Sequence, residues 1–124
     1  MYVYYNPNPL GKQVGDCVVR ALAKILHTDW DTVYDEVCRE GKRMGDMPSS
    51  NSVWVALLRK RGFSCIPLIN TCPLCYTVKD FCADHRQGEY LLSIGNHVVA
   101  VANGNYYDSW DSGNEVPISF WTKD

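Results

Sequence analysis

The chain has 124 residues, 46% apolar and 21% charged, the mix of a globular domain and not of a disordered, collagen-like or membrane-spanning chain. Its longest stretch free of polar residues, Val53 to Leu58, is six residues, against the roughly 20 that a helical span needs. A net charge of −2 leaves no basic surplus to displace counterions from a nucleic acid, and the length fits one domain over 1–124 with no room for two independent cores.

In chain order, residues 1–15 read as extended and turn-rich, with Asn-Pro twice and glycines at 11 and 15. Asp16 is a good N-cap for a helix over 16–27, in which Val18, Ala21, Leu22, Ile25 and Leu26 form one apolar stripe. Thr28-Asp-Trp-Asp31 resembles a capping box with Asp in place of Glu, opening a second helix that runs to about Arg39 and stops before Gly41. After a loop from Gly45 to Asn51, a third helix spans Ser52 to Arg61 and ends at Gly62, its Arg59-Lys60-Arg61 run favourably placed against the helix dipole.

Beyond Gly62 the periodicity changes. Residues 63–69 are extended, 72–75 form a turn, and Thr77 caps a short helix through Phe81 and Cys82. Strands are expected at 90–94, 97–102 and 105–110, with a further one at 117–121, and Asn103-Gly104 is a strong type I′ hairpin signal. Helices first and an antiparallel sheet after them give an α+β order. No charged, apolar and small-residue series opens the chain, so no signal peptide is expected and the expected compartment is the cytosol. The six cysteines are therefore expected to be reduced and unpaired, with Cys38 and Cys65 acting as small buried hydrophobes.

Cys17 stands in the first turn of a helix, where unpaired N–H groups and the positive end of the dipole favour a thiolate. A nucleophile there needs a base, and His97 is the candidate. A two-residue Asn103-Gly104 loop pairs Ala102 with Asn105, His97 with Trp110 and Val99 with Asp108. Asp108 is then the diagonal neighbour of His97, with Cβ atoms roughly 7–8 Å apart or less. That distance lets a carboxylate hold the ring and its tautomer while the other nitrogen meets Cys17, with Trp110 shielding the bond from water. Gln13, four residues before Cys17, is a candidate oxyanion donor beside the Cys17 backbone N–H.

Gln13-Val-Gly-Asp16-Cys17 opening a helix, then Gly95-Asn96-His97-Val-Val-Ala-Val, then Gly104-Asn-Tyr-Tyr-Asp108-Ser-Trp110, resembles a compact papain-like cysteine peptidase. The segments at 80–90 and 107–113 resemble small papain-like proteins of Firmicutes bacteria and their phages. The likeness runs from Gln13 to Gly113. In two respects the chain departs from papain: Asp108 replaces its Asn, and the Gln-to-Cys spacing is shorter. The resemblance implies a papain-like fold with helices packed on a C-terminal antiparallel sheet, and a Cys17–His97–Asp108 triad. It implies a cysteine hydrolase that cleaves an amide, peptide or isopeptide bond of a protein or peptide substrate through a thioester. No nucleic-acid or membrane partner is expected.

Two alternatives stand beside this reading. Cys72-x2-Cys75-x6-Cys82-x2-His85 offers three thiolates and an imidazole for a structural zinc, although no cofactor is the leading expectation. The second is a non-catalytic papain-like scaffold, for instance a phage product sequestering a host defence protein, with Tyr2, Tyr4, Tyr5, Tyr106 and Tyr107 as an interface.

Overall fold

A computed structural model describes residues 1–123. Among them the order is β1 (Tyr2–Tyr4), α1 (Cys17–Ile25), α2 (Trp30–Met44), α3 (Asn51–Lys60), β2 (Ser64–Pro67), α4 (Val78–Asp84), β3 (Glu89–Ser93), β4 (Val98–Ala102), β5 (Asn105–Asp108) and β6 (Ser119–Thr122). The fold is α+β, as the order of patterns implies.

The strands form one sheet in the order β1-β5-β4-β3-β6-β2. It is mixed, not antiparallel throughout: β1 pairs in parallel with β5, Tyr2 opposite Tyr106 and Tyr4 opposite Asp108. The tyrosine-rich start of the chain supplies this edge, and the long helical excursion that follows gives the connection a parallel neighbour needs. The other pairings are antiparallel. Asn103 and Gly104 both take positive φ, 52° and 81°, and set Ala102 opposite Asn105 and Val101 opposite Tyr106. This is the hairpin register read from the sequence. β5 ends at Asp108, two residues short of the expected strand end at 110.

Side chains alternate across the sheet and fill two cores. On one face Val98, Ala100, Leu91 and Trp121 pack with Leu22 of α1, Val33 and Val37 of α2, and Val53 and Leu58 of α3. On the other, Val99, Val101, Leu92 and Tyr106 pack under Val78, Phe81 and Cys82 of α4. β4 is buried along its whole length because both faces are covered.

The helices depart from the pattern reading in three places. The buried face of α1 takes in Val19, Arg20 and Ala23, while Val18 and Leu26 are only half-buried. Asp29, not Thr28, caps α2, its carboxylate accepting from Thr32 N at 2.7 Å. And α2 does not stop before Gly41. That glycine is buried mid-helix, where a Cβ would sit 2.8 Å from the Asp46 carbonyl and 3.2 Å from Pro48 N. The helix ends instead at Gly45, left-handed at φ 69°.

The two-core arrangement makes a direct prediction. Leu22→Ala, at a site with no exposure, is expected to cost about 2–5 kcal/mol of stability in urea unfolding. Ile69→Ala, 84% exposed, should change it by less than about 0.5 kcal/mol.

Candidate active site

Cys17 is the first residue of α1, so its backbone N–H has no intrahelical acceptor and its side chain lies at the positive end of the helix. The thiol is half-buried and within hydrogen-bonding reach of His97 and of the Val98 N–H. His97 sits just before β4, at the end of a turn closed by Ile94 N donating to the His97 carbonyl at 2.8 Å. Asp108 ends β5, and its carboxylate meets His97 Nε2 at 2.7 Å. With Nε2 committed to Asp108, Nδ1 is the nitrogen left for Cys17. The hairpin register has thus brought His97 and Asp108 together, with the Trp110 ring 5.0 Å from that of His97, and the start of α1 sets Cys17 beside them.

Asp108 is 1% exposed, and four donors saturate it. Oδ2 accepts from His97 and from Ser112 Oγ, each at 2.7 Å, and Oδ1 accepts from Ser109 N at 2.8 Å and Arg20 Nη2 at 3.0 Å. Arg20, 5% exposed, also donates through Nη1 to Asp16, whose other oxygen accepts from Trp30 Nε1 at 2.8 Å. Asp16 therefore makes no side-chain cap to α1, contrary to the sequence expectation, because its oxygens are taken by Arg20 and Trp30. Sequence reasoning missed Arg20 and Ser112. The signal for Arg20 was an arginine in the first turn of an otherwise mainly apolar helix, four residues after an aspartate; Ser112 left none, because its contact arises from a loop conformation.

The charges shift the three groups together. Burial alone would push the Cys17 thiol up, but hydrogen bonds from His97 and Val98 and the positive charges of His97 and Arg20 outweigh it, and the thiol lies below its ordinary value. Burial likewise opposes an imidazolium at His97, yet the bonds to Asp108 and Cys17 raise it to about 9. Asp108 is held below the usual carboxylate range: burial pushes upward, and the His97 and Ser112 hydrogen bonds overcome it.

A cleft of about 740 Å³ opens beside Cys17 and His97. Its walls are mainly apolar, with Leu10 and Val14 on one side, Met47 on another, and Trp30 and Tyr34 of α2 stacked at 4.9 Å. The 6–12 wall is shaped by asparagines: Asn6 Nδ2 donates to the Lys12 carbonyl, and Leu10 N donates to Asn8 Oδ1. Gln13 is exposed and does not line the cleft, so the structure does not bring it to the site.

The remaining candidates are dispersed. Cys72 and Cys75 are joined in a disulfide with Cα atoms 4.2 Å apart, which corrects the expectation of six free thiols. A tight turn, with Leu74 N donating to the Thr71 carbonyl at 3.0 Å, brings the two sulfurs together. Cys82 is buried in the second core, and His85 stacks on Phe81 at 3.8 Å with Nδ1 facing the Phe81 carbonyl. Among the described residues no group of three or more His, Cys, Asp or Glu is placed to hold a metal. Cys38 is half-buried on α2, whereas Cys65 is exposed because β2 is an uncovered edge strand. Of the tyrosines considered for an interface, Tyr106 is buried, Tyr2, Tyr5 and Tyr107 are half-buried, and Tyr4 is exposed. Among the described residues no helix is long and apolar enough to cross a membrane.

The pH behaviour follows from counting protons. Between about pH 6.5 and 8.5 the unfolded chain carries a thiol and a neutral imidazole, whereas folding raises the His97 imidazolium to about 9 and lowers the Cys17 thiol, both of which favour the thiolate–imidazolium form. His97, raised on folding, contributes stability that is full below about pH 6.5 and lost as pH rises through about 9. Cys17, lowered on folding, contributes stability that is full above about pH 8.5 and lost as pH falls through its folded value. The two slopes cancel, so the signature lies in reactivity. Site-resolved iodoacetamide labelling should persist at Cys17 at mildly acidic pH, where Cys38 and Cys65 have become unreactive. His97→Ala should move the Cys17 curve up towards an ordinary thiol, and a Cys17 curve that already matches Cys65 would refute the pairing. No protein-family model, curated protein or solved structure matches the chain, so its chemistry is read from these residues.

Proposed function

We propose that the protein is a papain-like cysteine hydrolase, with Cys17 as nucleophile, His97 as acid and base, and Asp108 as the group that orients His97. The observation that carries this reading is a buried carboxylate, Asp108, holding His97 beside a half-buried thiol at a helix N-terminus, with both opening on an apolar cleft. The helices-then-sheet order and the Cys, His, Asp sequence order support it.

The chemistry uses the resting charges directly. The Cys17 thiolate attacks a carbonyl carbon, and the carbonyl π electrons move onto oxygen. The free Cys17 N–H stabilises that oxyanion without reorganising. As the tetrahedral adduct collapses, the imidazolium of His97 gives its proton to the departing amine, leaving a thioester and a neutral ring. The ring then takes a proton from water as the water attacks the thioester, and the thiolate leaves. An amine in place of water would make the same site a transferase. An apolar cleft and a chain with net charge −2 fit a peptide-like acyl donor better than a polyanion.

Cys17→Ala should abolish turnover, and His97→Gln should lower it by about 10²–10⁴-fold. Gln13→Ala, at an exposed position, should cost less than about tenfold, against the 10²–10³ that loss of an oxyanion donor brings. The decisive test is labelling of the folded protein by an electrophilic acyl or vinyl probe. Cys17 is expected to react far faster than Cys38, Cys65 and Cys82, and to lose that advantage in His97→Ala. Labelling that is no faster than at the other thiols, or that survives His97→Ala, would overturn the assignment. A biological effect that persists in Cys17→Ala would point to a binding scaffold.

A further inference from the structure

Among the described residues Arg20 is the one buried cation, and the proposed chemistry does not use it. It lies three residues after Cys17, on the same side of α1, and is 5% exposed. Its fork is divided: Nη1 donates to Asp16 and Nη2 to Asp108 Oδ1 at 3.0 Å, on the oxygen opposite the one that holds His97. Two carboxylates around one guanidinium leave a single uncompensated negative charge, and the cation that meets it is His97. Without the guanidinium, Asp16 and Asp108 would face each other buried, and such a pair takes up a proton. A proton on Asp108 would remove the acceptor that holds the imidazolium.

We infer that Arg20 is a positioning residue: by bridging Asp16 and Asp108 it fixes the carboxylate that orients His97 and ties it to the helix that carries Cys17. This rests on the cysteine-hydrolase reading of the site. A guanidinium suits the task because its planar fork can donate to two carboxylates at once, while an ammonium is a single point charge. The other titratable groups facing this cluster are Tyr2 of β1, whose hydroxyl donates to the Asp108 carbonyl at 3.2 Å, and Lys12 on the cleft wall. Asp111 acts on Tyr2 from the loop after β5, and Lys24 of α1 points away, over the Tyr107 ring at 4.2 Å. None of these can replace a buried cation between Asp16 and Asp108.

The test compares the full chain with Arg20→Gln and Arg20→Lys. The readouts are Cys17 iodoacetamide labelling across pH, the His97 imidazole titration by NMR, and a thermal melt. Arg20→Gln is expected to move the Cys17 midpoint up by about one pH unit, a tenfold loss of thiolate on the acid side. Arg20→Lys should keep that midpoint within about half a unit, since the charge remains. It should raise the His97 midpoint, because an ammonium held by Asp16 leaves His97 as the one cation on Asp108. A folded Arg20→Gln protein with both midpoints unchanged overturns the inference and reduces Arg20 to a structural ion pair. Should Arg20→Gln fail to fold, an unchanged His97 midpoint in Arg20→Lys overturns it equally. If wild-type Cys17 itself titrates like Cys65, the hydrolase reading falls with it; an anomalous Cys17 that ignores both substitutions sinks only the role of Arg20.

Discussion

The carboxylate of Asp108 is ionised and almost without solvent contact, a placement that costs several kcal/mol unless every lone pair finds a donor. Its four donors come from separate parts of the chain: Arg20 from α1, His97 from the turn before β4, and Ser109 and Ser112 from the loop after β5. No one of these can move without leaving a buried charge short of a partner. The packing of α1 across β4 is therefore specified twice, once by Leu22 and Ile25 against the sheet and once by the Arg20–Asp108 contact. Apolar burial alone would tolerate small slides of the helix; the ion pair selects one position.

That constraint explains where the proposed nucleophile stands. Cys17 and Arg20 are neighbours on one helix, so fixing the arginine against β5 also fixes the distance from the thiol to β4. His97, held at Nε2, can turn only its other ring edge towards Cys17. The lowering of the Cys17 pKa and the raising of the His97 pKa are two sides of one coupling, since each charged partner favours the other. Their contributions to stability slope in opposite directions with pH and offset one another.

Sequence patterns carried the site where the rules behind them are local. Asn-Gly in a hairpin has essentially one backbone solution, and a period of two then places every cross-strand neighbour, so the pairing of His97 with Asp108 was legible from residues 97–108. Short-range chemistry likewise placed the Thr77 cap, whose reciprocal contacts with Asp80 are both formed. What stayed hidden depends on partners far away in the chain. Gly41 reads as a helix stop, yet its missing side chain leaves space for the Asp46–Pro48 loop, and nothing within the helix announces that loop's return. β1 reads as an aromatic start, but its parallel pairing requires knowing that β5 lies free at that edge. Arg20 lies off the apolar stripe read for α1 and looks like a solvent-facing position until two buried carboxylates are placed around it. Gln13 illustrates the opposite case: it is close to Cys17 in sequence, yet its side chain is exposed and outside the cleft lining.

The edge strand links the cleft to the ionised cluster. Asp108 holds His97 with its side chain, while its backbone carbonyl accepts from Tyr5 N at 2.8 Å and from the Tyr2 hydroxyl. Tyr5 is the last residue before the asparagine-shaped segment that forms one wall of the cleft. The same residue thus anchors the imidazole and the base of that wall. One buried aspartate at the end of a short strand therefore fixes two things at once: its side chain sets the orientation of the His97 ring, and its carbonyl sets where the first wall of the cleft leaves the sheet.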